Sequence, residues 1–217
     1  MALFYQHNIS ETTRLGIWHI AEPEAFFRAE VPLQRSITHP HKRLQHLAGR
    51  HLLKTLFPAF PYELIAIADT KKPYLPNDAY HFSISHCGDY AAAIVSSTER
   101  VGIDIEIPTF KVEKIRHKFL HPEELQHLEQ QYRKDDLPAG ISPYYRSLTT
   151  LWSAKEAVFK WYGKGEVDFS EHIRLQVTGH LNNEKGEISG GFYKNQPVSF
   201  VLPYVNFPEI TLVWLRS

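Results

Sequence analysis

A chain of 217 residues that is 43% hydrophobic and 13% aromatic is an ordinary globular protein, long enough for one generous core or two small ones. Lys+Arg 24 against Asp+Glu 24 leaves no global field to draw a polyanion such as DNA, and a single cysteine, Cys87, forbids an internal disulfide and fits a reducing compartment. No apolar run is long enough to span a bilayer and residues 1–13 lack a signal-peptide core, so the expectation is a cytoplasmic protein that binds neither nucleic acid nor membrane.

Residues 3–9 and 14–20 read as short strands, and Glu22-Pro23-Glu24 opens a helix, with proline tolerated in its first turn. Pro32 and Pro40 cut the chain before a firmer helix over about 41–57. On it Arg43, His46, Arg50 and Lys54 fall at i, i+3, i+7 and i+11 as one basic stripe, while Leu44, Ala48, Leu52 and Thr55 form the packing stripe. Such a basic stripe is a solvated face unless something else in the chain asks for an anion site.

Beyond the Pro58-Ala59-Phe60-Pro61 break, residues 64–67 and the proline-stiffened 71–76 are extended. Residues 81–84 read as a strand, 85–89 as a turn, 90–96 as a returning strand of small residues, and 97–100 as a second turn into 101–107. Three strands with tight connections predict an antiparallel meander, which makes the Ser85-His86 turn a neighbour of the third strand. In that third strand Ile103, Ile105 and Ile107 alternate with Asp104 and Glu106. A period of two puts both carboxylates on one face, roughly 7 Å apart. In open water that is a solvated acidic edge; in a cleft the pair needs a cation between them.

Residues 111–119 are locally basic, His121-Pro122-Glu123-Glu124 starts a helix, and 133–143 reads as a loop. The strongest helix covers 144–162 and ends at Gly163, with Leu151, Ala154, Val158, Trp161 and Tyr162 as its buried stripe. Strands at 173–177, 188–193, 198–205 and 210–215 form a second meander. The order predicts an α+β protein of two similar halves, 1–100 and 101–217, meeting near the acidic strand.

Glu156 and Lys160 stand at i, i+4, the spacing of a surface ion pair worth about 0.3–0.5 kcal/mol, yet the aromatics of 152–160 pack around these charges. A helix carboxylate brought against Asp104 and Glu106 completes an oxygen site for a hard ion such as Mg²⁺, which needs few protein ligands when phosphates supply the rest. A lysine one turn on then meets phosphate oxygens. Ser85-His86 either presents a hydroxyl and backbone N–H groups to an anion or caps the hairpin. Cys87 lacks the oxyanion element of a cysteine hydrolase, and His117 with His121 lacks a third zinc ligand.

Together Lys72-Pro73, Phe82-Ser83-Ile84-Ser85-His86-Cys87-Gly88, Gly102-Ile103-Asp104-Ile105-Glu106 and Trp152-Ser153-Ala154-Lys155-Glu156-Ala157-Val158-Phe159-Lys160 resemble, in order and spacing, the larger Sfp-type class of 4′-phosphopantetheinyl transferases. Leu47-Ala48-Gly49-Arg50-His51-Leu52-Leu53 is similar to that family's arginine-bearing helix. The resemblance runs from about Lys42 to Gly165. It implies a pseudo-dimeric α+β fold with coenzyme A and Mg²⁺ between the halves. It also implies transfer of the phosphopantetheine arm to a serine of an acyl, peptidyl or aryl carrier protein, releasing adenosine 3′,5′-bisphosphate.

Carried over by position, the resemblance implies Asp104, Glu106 and Glu156 as metal ligands and Glu156 as the base for the incoming serine. Lys160 and His86 then grip the diphosphate with Ser85 beside them, and Arg50, Lys72 and, more loosely, Arg43 hold the adenosine 3′-phosphate. Cys87 stands where serine is commoner in the family, and the segment before Lys42, with Arg28 and Arg35, receives no assignment. Residues 111–125 resemble the family's carrier-contacting region, where positive charge suits an acidic carrier. Two internal halves make a monomer the expectation. The competing classes are a metal-dependent phosphodiesterase or nucleotide hydrolase, with water as acceptor, and a catalytically silent coenzyme A-binding module.

Overall fold

Tyr90–Ser96 (β6) is buried at every position, so both of its faces are covered. In the computed structural model, which describes residues 3–33, 36–132 and 142–217, β6 lies between Thr13–His19 (β2) and His81–Cys87 (β5), antiparallel to both. Leu3–Asn8 (β1) adds to the far side of β2, giving the order β1-β2-β6-β5. Ala91 and Ala93, on the face of β6 that shares a core with the covering helix, let it come close. That helix, Pro40–Leu56 (α2), starts with proline in its first turn and His39 accepting from the Lys42 N–H. Its Leu47, Ala48, Leu52, Leu53 and Leu56 join Trp18, Phe60, Phe82 and Val95, with Phe27 from Glu24–Arg28 (α1), in one core. At Gly49 the approach leaves no room for a side chain: a Cβ there would lie 2.6 Å from Ile84 Cγ2. A short ribbon, Ala66–Ile67 (β3) with Pro73–Tyr74 (β4), turns through Lys71 at φ 64°. With Val101–Glu106 (β7) up to Ile105, these elements make up a unit of Met1–Ile105 and Arg216–Ser217.

Two sequence readings change here. The second neighbour of β6 is β2, so residues 81–107 do not form the predicted three-strand meander. Alternation identifies a strand but not which distant strand completes its ladder. The predicted turn at 85–89 contracts to Gly88 and Asp89, because Gly88 takes φ 52° and lets Cys87 pair with Tyr90 directly. Ser85 and His86 therefore stand on β5, on opposite faces.

The second unit is Glu106–Leu215. Thr109 caps a 3₁₀ turn, Phe110–Ile115, which runs into Arg116–Phe119 (α3). Pro122–Gln131 (α4) begins with proline after His121, and Pro143–Tyr162 (α5) begins at a Ser142 cap and ends at Gly163 with φ 71°, the left-handed conformation that glycine adopts without strain. Of the predicted 133–143 loop, 133–141 lie outside the described residues. Phe169–His172 (α6) leads into Ile173–Gln176 (β8), followed by Lys185–Phe192 (β9), Val198–Asn206 (β10) and Thr211–Arg216 (β11). Each pairs antiparallel with the next, and β8 is last in the order. Leu148, Leu151, Ala154, Val158 and Trp161 of α5 pack on Ile173, Ile188, Phe192, Leu202 and Val213, with Phe119 and Leu128 alongside. Antiparallel sheets with helices gathered apart from the strands make the protein α+β. Among the described residues, no helix is long and apolar enough to cross a membrane.

Candidate active site

Asp104 sits in the middle of β7, only 2% exposed. A buried carboxylate is tolerated only when hydrogen-bonded or paired, and here Ser85 Oγ donates to Asp104 Oδ1 at 2.8 Å. Two residues back along β5 and one back along β7, Ser83 Oγ accepts from the Ile103 N–H at 3.2 Å. Side-chain hydroxyls at alternate positions of β5 thus bind β7. Asp104 is not part of a solvated acidic face. His86, one residue beyond Ser85, is exposed, as strand alternation requires.

The basic stripe of α2 also turns inward at its centre. Arg50 and His46 are each 7% exposed, and Arg50 Nη1 lies 3.1 Å from His46 Nδ1. Guanidinium nitrogens only donate, so Nδ1 accepts and the imidazole proton is on Nε2. Tyr62 Oη donates to the Arg50 carbonyl, at the very turn where Gly49 lets α2 settle on β5. Burial holds the Tyr62 phenol far above its ordinary range. The ends of the stripe differ. Arg43 donates from Nε to Glu24 at 2.8 Å and from Nη1 to the Ile37 carbonyl at 2.7 Å, and Lys54 lies over the Tyr62 ring. Next to the β3–β4 turn, burial, reinforced by the positive charge of Arg100, pulls the Lys72 ammonium down to about 8.

In the second unit, Glu106 Oε1 accepts a long 3.4 Å bond from Trp152 Nε1. Trp152 projects from α5 between Phe119 and Phe169, so the aromatics flanking Glu156 and Lys160 are packing groups that fix this stretch of α5. Glu156 and Lys160 are half-buried. Among the described residues, no group of three or more His, Cys, Asp or Glu side chains is gathered as a ready-made metal site. The predicted donors are all carboxylate oxygens, the chemistry that a hard divalent cation takes. The sequence reading missed Lys155, which is fully buried and bonded to Glu124 at 2.6 Å. Its signal was available: it stands four residues after Leu151 and three before Val158, on the flank of the apolar stripe.

The acidic strand and the α5 run lie together in one stretch that matches a known family. Residues 100–202 match the family model of the 4′-phosphopantetheinyl transferase superfamily. Enterobactin synthase component D of Salmonella austin is 34% identical over 123 residues, covering 55% of this chain and 47% of that protein. The 4′-phosphopantetheinyl transferase of Bacillus subtilis is 34% identical over 117 residues, covering 52% and 48%. A putative 4′-phosphopantetheinyl transferase of Haemophilus influenzae is 29% identical over 154 residues, covering 68% and 62%. The chain thus spans about half the length of several curated relatives it matches. The superfamily segment holds Asp104, Glu106, Glu156 and Lys160; Arg43, Arg50, Lys72, Ser85 and His86 precede it.

Proposed function

We propose that the protein transfers the 4′-phosphopantetheine arm of coenzyme A to a serine of an apo acyl or peptidyl carrier protein, releasing adenosine 3′,5′-bisphosphate. The observation that carries this reading is the superfamily match over 100–202, which contains the three acids and the lysine in one segment. The names of the relatives from Bacillus and Salmonella support it.

Asp104, Glu106 and Glu156 would hold Mg²⁺, and the bound ion supplies charge neutralisation on the diphosphate. Glu156 accepts the proton of the carrier serine as its oxygen bonds to the phosphorus nearest the pantetheine and the bond from that phosphorus to the departing bisphosphate breaks. Lys160 and His86 bind the diphosphate oxygens, where negative charge grows as the bisphosphate leaves, and Ser85 orients Asp104. Arg50 and Lys72, with Arg43 at the end of the stripe, bind the adenosine 3′-phosphate. The nucleophile belongs to the carrier, so the chain supplies alignment, charge and a proton acceptor, and no reactive cysteine or serine of its own. In this reading the protein acts as a cytoplasmic monomer whose partners are coenzyme A and the carrier.

Incubation with coenzyme A, Mg²⁺ and a panel of apo carriers, followed by intact mass measurement, tests the reading. Addition of one phosphopantetheine mass to a carrier is expected; no shift on any carrier, or coenzyme A consumed with water as acceptor, overturns it.

A further inference from the structure

Lys155 spends its three ammonium hydrogens inside the second unit. Nζ donates to Glu124 Oε2 at 2.6 Å, to the Ile173 carbonyl at 2.8 Å and to the Phe169 carbonyl at 3.0 Å. Glu124, 4% exposed, is engaged as fully. Its Oε1 accepts from the Leu175 N–H at 2.7 Å, and its Oε2 also accepts from the His121 N–H at 2.8 Å.

Ile173 and Leu175 are alternate residues of β8, the last strand in its sheet order, so the carbonyl of one and the N–H of the other project from the edge away from β9. A neighbouring strand would meet them with one donor and one acceptor. Lys155 brings the donor and Glu124 the acceptor, so the ion pair takes the place of one residue of a further strand. It joins α5 and the start of α4 to the rim of the sheet at fixed points.

On an α-helix, successive residues point about 100° apart, so fixing Lys155 against that rim fixes the direction of Glu156 beside it and of Lys160 beyond. We propose that Lys155 and Glu124 are positioning residues for the transfer reaction: their buried pair, latched to the edge of β8, sets the face of α5 that presents Glu156 and Lys160. This inference rests on the function proposed above. Neither residue touches substrate in it.

The test replaces both charges at once with apolar groups of similar size, Lys155→Met with Glu124→Leu, since exchanging a whole buried pair generally preserves folding where removing one partner does not. A cooperative melt establishes that the variant is folded; if it is not, Lys155→Arg and Glu124→Gln are measured in its place. With the wild type active, kcat for carrier modification is expected to fall about ten- to a hundredfold, with KM for coenzyme A within about threefold because most of its proposed contacts precede residue 100. A folded variant with wild-type kcat overturns the inference, and so does a loss carried by KM alone.

Should the wild type modify no carrier, the functional reading fails, and hydrogen exchange judges the latch separately. The Leu175 and His121 amides, protected in the wild type, are expected to exchange at least about tenfold faster in the apolar double variant, together with faster exchange across 152–160. Unchanged protection at Leu175 overturns the latch whatever the activity.

Discussion

The Ser85 hydroxyl donates a 2.8 Å hydrogen bond to Oδ1 of Asp104, and both residues are almost wholly buried. The bond joins two strands through side chains and holds the carboxylate in one orientation. Ser85→Ala should cost about 1–3 kcal/mol in urea unfolding, the range for leaving a buried charged acceptor short of a donor. Ser85→Thr, which keeps the hydroxyl, should recover more than half of that loss. Coenzyme A binding measured by calorimetry with Mg²⁺ should weaken for Ser85→Ala and be lost for Asp104→Asn; undiminished binding in both would remove Asp104 from the proposed site.

Gly49 is the point where α2 settles onto β5. Its substitution by alanine places a methyl 2.6 Å from Ile84 Cγ2, far inside contact distance. Overpacking of this kind costs about 1–3 kcal/mol, and here it lifts the turn that carries Arg50. The expected result is a lower melting temperature together with weaker coenzyme A binding. Adding Ile84→Ala, which deletes the opposing methyl, should restore part of both. A double-mutant cycle with no coupling between the two positions would show that the contact does not govern the fit.

Much of this architecture was legible in the chain. The apolar spacing of Leu151, Ala154, Val158 and Trp161 identified α5 and its buried face, and all four are in the core. Gly163 marked its end. What could not be read was pairing over long distance. Tyr90–Ser96 reads as a strand from its residues, but the partner on its second side is Thr13–His19, and nothing local specifies that ladder. The basic stripe shows the same limit in another form. Periodicity placed Arg43, His46, Arg50 and Lys54 on one face, yet whether that face meets water depends on Tyr62 and Glu24, which cover parts of it. Lys155 was hidden by its type, since a lysine beside a glutamate on a helix reads as solvated until its three acceptors are seen.

Removing one member of the buried pair should be far worse than removing both. Lys155→Met leaves the Glu124 carboxylate enclosed without its counter-charge, and such an orphan costs about 3–5 kcal/mol. The apolar exchange of both residues gives up hydrogen bonds to β8 but leaves no buried charge, so its cost should be less than half that of the single change. Urea unfolding of the two singles and the double measures the difference directly. Additive losses would mean that Lys155 and Glu124 act through separate neighbours.

With Lys72 on the 3′-phosphate as proposed, coenzyme A binding is expected to depend on pH. Its ammonium titrates at about 8 in the folded protein against 10.5 for an unperturbed lysine, chiefly through burial and then through Arg100. Between those values the unfolded chain holds more protons than the folded one, so stability increases with pH. The contribution is fully present above 10.5 and is lost as the pH falls through about 8. An anion reverses the preference by favouring the charged amine. Binding of coenzyme A should therefore be strongest below pH 8, draw a proton from the buffer near that pH, and weaken above it by at most about tenfold per pH unit. Calorimetry in buffers of different ionisation enthalpy reads the proton directly. Lys72→Met should abolish that uptake, weaken binding at pH 7 and raise the melting temperature there, because the buried charge no longer has to be accommodated. If the variant retained the same proton uptake, the phosphate contact would belong to another residue.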